Sequence, residues 1–343
     1  MDISARNRPA IDAHVHVHPG CAERLAAIMD ANNLTRVVNL GILEATGVPF
    51  EEGMRTFRHV LGSRMVYFTT PNFRDTAPGF GQRMADDLER KVQGGARGLK
   101  IFKELGLRHK DADGNLIPVD DPRLDPLWAK AGELGVPVLI HTADPLAFFQ
   151  PLEDASTGWR NERWEELQRR PDWHFGKPEF PDHDTLLAQR NRVIERHPGT
   201  TFIGAHLGNY PENLAYVDAC LDRYPNFTVD TCARIGEIGR HPAEEARAFF
   251  LKHQDRIVFG TDLVLGWDAF EDAGEEDAAE IERFYDAHWA FFETGARQIE
   301  YPGYPLEGCW KVDAIHLPDG VLDKLYVRNA QRLVPGLCSI KGA

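Results

Sequence analysis

Eight short apolar segments, most of them separated by helix-like stretches, predict an α/β chain built on a parallel sheet. Eight such units in 343 residues, with no Gly-x-Gly-x-x-Gly turn after any early strand, favour a closed (β/α)8 TIM barrel over an open doubly wound sheet. The segments are 10–14, 36–40, 65–70, 98–102, 136–141, 201–206, 226–231 and 257–262. A chain that is 43% hydrophobic can bury the single large core this fold needs, so residues 1–343 read as one domain.

The first segment leads into a histidine-rich run. Ile11 and Ala13 alternate against Asp12, His14 and His16, which puts both imidazoles on one strand face. Two imidazoles converging from one strand make half of a metal site. With fourteen histidines in the chain, the alternative is a loose surface tract. His18 falls one step past the strand, beside Pro19.

The intervening stretches have helical character. Cys21 to Asn32 is Ala- and Leu-rich with amphipathic spacing, Gln82 to Gln93 is charged, and Pro122 to Leu134 opens on Pro and stops before Gly135. In a barrel of this kind chemistry gathers at the C-terminal strand ends. There the fifth segment ends in His141, the sixth in His206 and the eighth in Asp262. In the fourth, Lys100 lies between Leu99 and Ile101 and points away from them, into the barrel. A lysine there is costly unless it is paired, neutralised or used.

Long loops are expected after strands 5 and 8. The segment from about 142 to 184 carries Phe148, Phe149, Trp159, Trp164 and Trp173 around Asn161, Glu162 and Arg163. It reads either as an aromatic lid or as simple packing over the barrel mouth. Beyond Asp262, the acidic stretch Glu271 to Glu282 reads as a solvated helix face. After the seventh strand, Asp230, Arg234 and Arg240 are within reach of a pocket. The planar fork of Arg234 suits a substrate carboxylate, or else a salt bridge with Glu237 or Glu104. Lys103 and Glu104 follow the fourth strand and line the same rim. Trp289, Phe291 and Phe292 either cover the barrel or form a homodimer face.

A formal net charge of −14 argues against a phosphate-backbone partner, which needs a clustered positive field. The first ten residues lack an apolar core, and no stretch approaches the roughly 18 to 20 apolar residues of a spanning helix. A soluble, unexported protein with no membrane partner is expected. Cys21, Cys220, Cys232, Cys309 and Cys338 are odd in number and scattered, which fits reduced thiols in the cytoplasm.

Taken together, these residues resemble the amidohydrolase superfamily, in particular the amidohydrolase-related (amidohydrolase 2) branch that also contains metal-dependent decarboxylases. The resemblance rests on His14-x-His16, His141, His206 and Asp262 in Phe-Gly-Thr-Asp, and on a tail at about 319–335 similar to the closing helical segment of that branch. It implies that His14, His16 and Asp262 bind a divalent metal, with His141 completing the site. His206 is then either a ligand of a second metal or an acid/base group beside the first. Lys100 matches the position where binuclear members carry a carboxylated, metal-bridging lysine. An ion pair with Asp12 and a substrate carboxylate are the other readings of that lysine. Zn²⁺ suits these ligands best, ahead of Mn²⁺ or Fe²⁺, as one or two ions.

The expected activity is metal-dependent hydrolysis of an amide, lactone or ester bond in a small molecule. Asp262 would shuttle a proton from the attacking water to the leaving group, and His206 would stabilise developing charge. Non-oxidative decarboxylation of a small, conceivably aromatic, carboxylic acid is the alternative, and a catalytically silent binding barrel the third.

Overall fold

The structure is a computed structural model that describes residues 8–267 and 278–338. The strands of its main sheet are β1 (Ala10–Val17), β2 (Leu34–Leu40), β3 (Met65–Thr69), β4 (Gly98–Ile101), β5 (Val138–Ile140), β6 (Phe202–Gly204), β7 (Phe227–Asp230), β8 (Ile257–Val258) and β9 (Leu263–Leu265). They pair in the order β8-β7-β6-β5-β4-β3-β2-β1-β9, and every pair is parallel. β8 and β9 are one interrupted strand. The first half joins β7, the second joins β1, and the barrel closes through them. The α/β barrel read from the sequence is the fold observed.

The interruption corrects the expectation that segment 257–262 runs unbroken to Asp262. Asp262 sits at φ +68°, a left-handed conformation that aspartate tolerates better than most residues. Its N–H donates to the His14 carbonyl at 2.9 Å, and the Ala13 N–H donates to the Phe259 carbonyl at 2.9 Å, so the break stays stitched to β1.

A second correction concerns β1, whose pairing with β2 shifts register between Asp12 and Val15. A bulge there changes which face each residue presents. Ile11 and Ala13 pack inside the barrel with Val38, Phe68 and Leu139, while Val15 and Val17 pack outside against the helices. His14 and His16 therefore face inward together with the apolar pair above them, not opposite to it. Asp12 does not share the histidine face. Its Oδ2 accepts from Thr261 Oγ1 at 2.6 Å and from the Tyr285 hydroxyl at 2.9 Å.

The C-terminal helical run Asp319–Leu333 closes the other end, where Ala330, Val334 and Leu337 join the barrel-interior cluster. Asn329 fixes it by donating to the Gln254 and Ile257 carbonyls at 2.8 and 2.7 Å. In the segment after β5, Phe148 meets Trp173 at 6.0 Å and Phe149 meets Phe175 at 5.4 Å, while Trp159 is 44% exposed. Buried Arg163 ties this segment to Glu166, Glu237 and Glu307.

Trp289, Phe291 and Phe292 are buried around Phe259 and Phe250, so they cover the barrel and offer no dimer face. The acidic stretch lies outside the described residues up to position 277; beyond it, Glu280 and Glu282 are exposed on helix Ala278–Glu293. Among the described residues no helix is long and apolar enough to cross a membrane.

Candidate metal centre

β1 delivers two oriented imidazoles to the barrel mouth. His14 Nδ1 lies 2.8 Å from Asp230 Oδ2, and His16 Nδ1 lies 2.7 Å from the Leu40 carbonyl oxygen. Each contact fixes a ring and leaves its Nε2 turned toward the centre. There the two Nε2 atoms approach Asp262 Oδ1, at 3.3 and 3.4 Å. Lys100 Nζ stands 3.2 Å from His14 Nε2.

A second imidazole pair faces the other oxygen of Asp262. His206 Nε2 lies 4.0 Å from Asp262 Oδ2 and 3.2 Å from His141 Nδ1. His141 Nε2 meets Asp144 Oδ1 at 3.2 Å, and Lys103 Nζ donates to Asp144 Oδ2 at 2.6 Å. His206 follows the end of β6 at φ +55°, with its Nδ1 3.1 Å from the Cys232 carbonyl oxygen. Asp230 Oδ1 accepts from the His206 N–H at 2.7 Å, so one buried carboxylate braces a member of each pair.

Burial is the main influence on every group here. It holds His14, His16 and His206 well below the usual histidine value, which leaves them neutral as a metal ligand must be. Burial takes His141 down to about 4, against the pull of Asp144. It also lowers Lys100, although Asp262 opposes this. Burial works against charge on Asp262, but His14, His16 and Lys100 outweigh it and hold the carboxyl below its usual range.

Two donor sets are available. His14, His16 and Asp262 Oδ1 could hold one divalent ion, and His141 with His206 could face a second across Asp262. A more compact group, His14, His206, Cys232 and Asp262, has its donor atoms within 4.8 Å of one another. Cys232 Sγ, however, lies 3.0 and 3.2 Å from the Nδ1 atoms of His14 and His206, behind the rings. The Nε2 side is the better centre, because the Nδ1 atoms already have partners.

The sequence-derived residues His14, His16, Lys100, His141, His206 and Asp262 thus gather in one place. Lys100 makes no ion pair with Asp12, which the β1 bulge turns to other partners. Arg234 makes no salt bridge with Glu237 or Glu104; its one side-chain hydrogen bond among the described residues goes to the Ala233 carbonyl at 2.6 Å. Arg240 instead joins Glu162 at 2.8 Å and stacks on Trp310 at 4.4 Å. His18 caps the turn after β1 by accepting from the Gly20 N–H. Asp144 and Cys232 were not singled out in the sequence, and Asp230 was placed beside a pocket rather than behind His14.

The chain matches the amidohydrolase family over residues 11–336. In fold it is similar to a dihydroxybenzoic acid decarboxylase from Polaromonas sp. JS666 with bound manganese and the inhibitor 2-nitroresorcinol, at 13% identity and TM-score 0.56, covering 95% of this chain and 96% of that one. It is also similar to 2,6-dihydroxybenzoate decarboxylase from Rhizobium, at 15% identity and TM-score 0.53, covering 95% and 98%. A Burkholderia multivorans amidohydrolase with bound zinc aligns at 14% identity and TM-score 0.51, covering 95% and 99%. No curated protein matches in sequence. From its match along nearly the whole length, on a barrel of the same architecture, the chain belongs to the amidohydrolase family.

Proposed function

We propose that this protein is a metal-dependent hydrolase of an amide, lactone or ester bond in a small molecule. The observation that carries the reading is Lys100, fully buried, 3.2 Å from His14 Nε2 and with no carboxylate at ion-pair distance among the described residues. A buried lysine in this state is pushed toward its neutral amine, the form that takes up CO₂ to give a carbamate and a proton. The carbamate would offer anionic oxygens to ions held by the imidazole pairs.

The donor set fits a divalent ion. Neutral imidazoles with their Nδ1 atoms engaged, beside a carboxylate a quarter exposed to the barrel mouth, match what such an ion needs. Zn²⁺ suits this set ahead of Mn²⁺ or Fe²⁺. When bound, the ion supplies Lewis acidity that polarises a carbonyl and brings the pKa of water from about 15.7 toward 7. Asp262 accepts the proton of the attacking water and passes it to the leaving group. His206 keeps its Nδ1–H on the Cys232 carbonyl, so its Nε2 is the acceptor that orients the attacking water. Arg234, with most of its donors unused, holds a carboxylate of the substrate.

Decarboxylation is the second reading, favoured by that same free guanidinium and by Phe102 and Trp267 beside His16. Two of the similar folds act on dihydroxybenzoates. Turnover of an amide, lactone, ester and aromatic-acid panel in D₂¹⁸O separates the two. ¹⁸O entering a new carboxylate supports hydrolysis, and CO₂ release with a new C–D bond overturns it in favour of decarboxylation.

A further inference from the structure

Two aromatic rings that pack on His16 form the near wall of a cavity. Phe102 and Trp267 lie against the imidazole, with centroids 5.6 and 5.5 Å away, and 5.8 Å from each other. They line a cavity of about 680 Å³ that also takes in the loop after β3 and one face of helix Phe80–Gln93. That volume falls within the range of roughly 300–1,000 Å³ that houses drug-sized ligands. Another part of the lining is Phe73 stacked on His109, 4.2 Å between centroids and 12° between planes. Burial takes His109 down to about 4, so this wall is a neutral aromatic surface at pH 7.

The charges around the cavity nearly cancel one another. Arg83 pairs with Asp75 at 3.0 Å, Arg90 with Asp87 at 2.7 Å, and Lys91 with Glu44 at 3.0 Å. Two lining side chains are left over. Neither Arg74 nor Glu104 has a salt bridge or side-chain hydrogen bond among the described residues. Glu104 acts electrostatically on Lys100, which places it toward the centre, whereas Arg74 is exposed beside the Asp75–Arg83 pair. Among the described residues the cavity therefore has a polarity, with an unpaired carboxylate inside and an unpaired guanidinium outside.

We propose that this cavity is the specificity subsite of the centre, and that it takes a planar aryl or heteroaryl group with a hydrogen-bond donor toward Glu104 and an anionic group held by Arg74. The aromatic walls match a flat apolar body, and the guanidinium fork matches a carboxylate or phosphate. The inference rests on the reading above only in taking His16 to border the reacting centre.

The test uses 6-hydroxy-2-naphthoate against 2-naphthol on the protein as isolated, titrated by calorimetry and tryptophan fluorescence. The acid, with its hydroxyl toward Glu104 and its carboxylate on Arg74, should bind about fivefold tighter or more than the naphthol. Arg74→Met, a change at an exposed position, should remove that advantage and leave 2-naphthol unchanged. Phe102→Ala should weaken both ligands. Equal affinities, or an advantage that survives Arg74→Met, would overturn the proposal. Binding is read without turnover, so failure of the hydrolase reading would leave this result standing, and the reverse holds too.

Discussion

His14 and His16 stand within a strand, whereas His141 and His206 each stand just beyond one. The difference decides what holds them. The first pair takes its direction from the β1 backbone, and its Nδ1 atoms are pinned by a buried carboxylate and a strand carbonyl. The second pair depends on loop side chains and on a left-handed backbone at His206. Rigid sheet positions suit ligands that must stay, and loop-supported positions suit groups that work on the substrate. Asp262 belongs to both, with one oxygen toward each pair.

The largest effect should follow from blunting that shared residue. Asp262→Asn is expected to lower turnover on the order of a thousandfold or more by removing the proton acceptor. Full activity with metal retained would contradict the shuttle.

The supports of the two pairs should differ in kind. Asp230→Asn keeps an oxygen for the His206 N–H but removes the acceptor of His14 Nδ1, and is expected to cost about 10–100-fold in metal affinity, measured by chelator competition. Asp144→Asn loosens His141 and should show mainly in turnover, with a smaller change in affinity. Equal losses of affinity in both variants would erase the distinction drawn between the pairs.

The smallest effect lies away from both. Glu212 has a buried Oε2 without a hydrogen-bond partner among the described residues, and burial raises its pKa from 4.5 to about 7. The unfolded chain loses this proton first, so the folded state loses stability as pH rises from about 4.5 to 7. Glu212→Gln should therefore unfold at higher temperature than the parent at pH 8, by about 2–3 kcal/mol at most, and show no gain at pH 4.5. A gain equal at both values would point away from the titration of Glu212.

Much of this was legible from strand ends. Alternation around Lys100 turned it inward, and the last residues of the apolar segments supplied His141, His206 and Asp262. Asp230, one place before the end of segment 226–231, was read as near the pocket, but its role behind His14 was not legible. Other features left no periodic trace. Ile-Asp-Ala-His-Val-His reads as unbroken alternation, yet the bulge at Asp12 to Val15 turns Ala13 and His14 to the same interior. The positive φ at Asp262 and His206 is a property of backbone closure, which a pattern of apolar residues does not encode. Asp144 and Cys232 gain their roles from loop geometry alone. The pairing of β9 with β1 rests on three residues, too few to stand out.

The central claim is that His14, His16 and Asp262 hold a metal ion, and counting metal per chain tests it most directly. Protein dialysed free of loosely held ions is compared by elemental analysis with His16→Ala and with His59→Ala, an exposed histidine outside the centre. The account predicts at least one equivalent in the parent and in His59→Ala, and loss of that equivalent in His16→Ala. A parent without stoichiometric metal, or a His16→Ala variant that keeps its full complement, would contradict it.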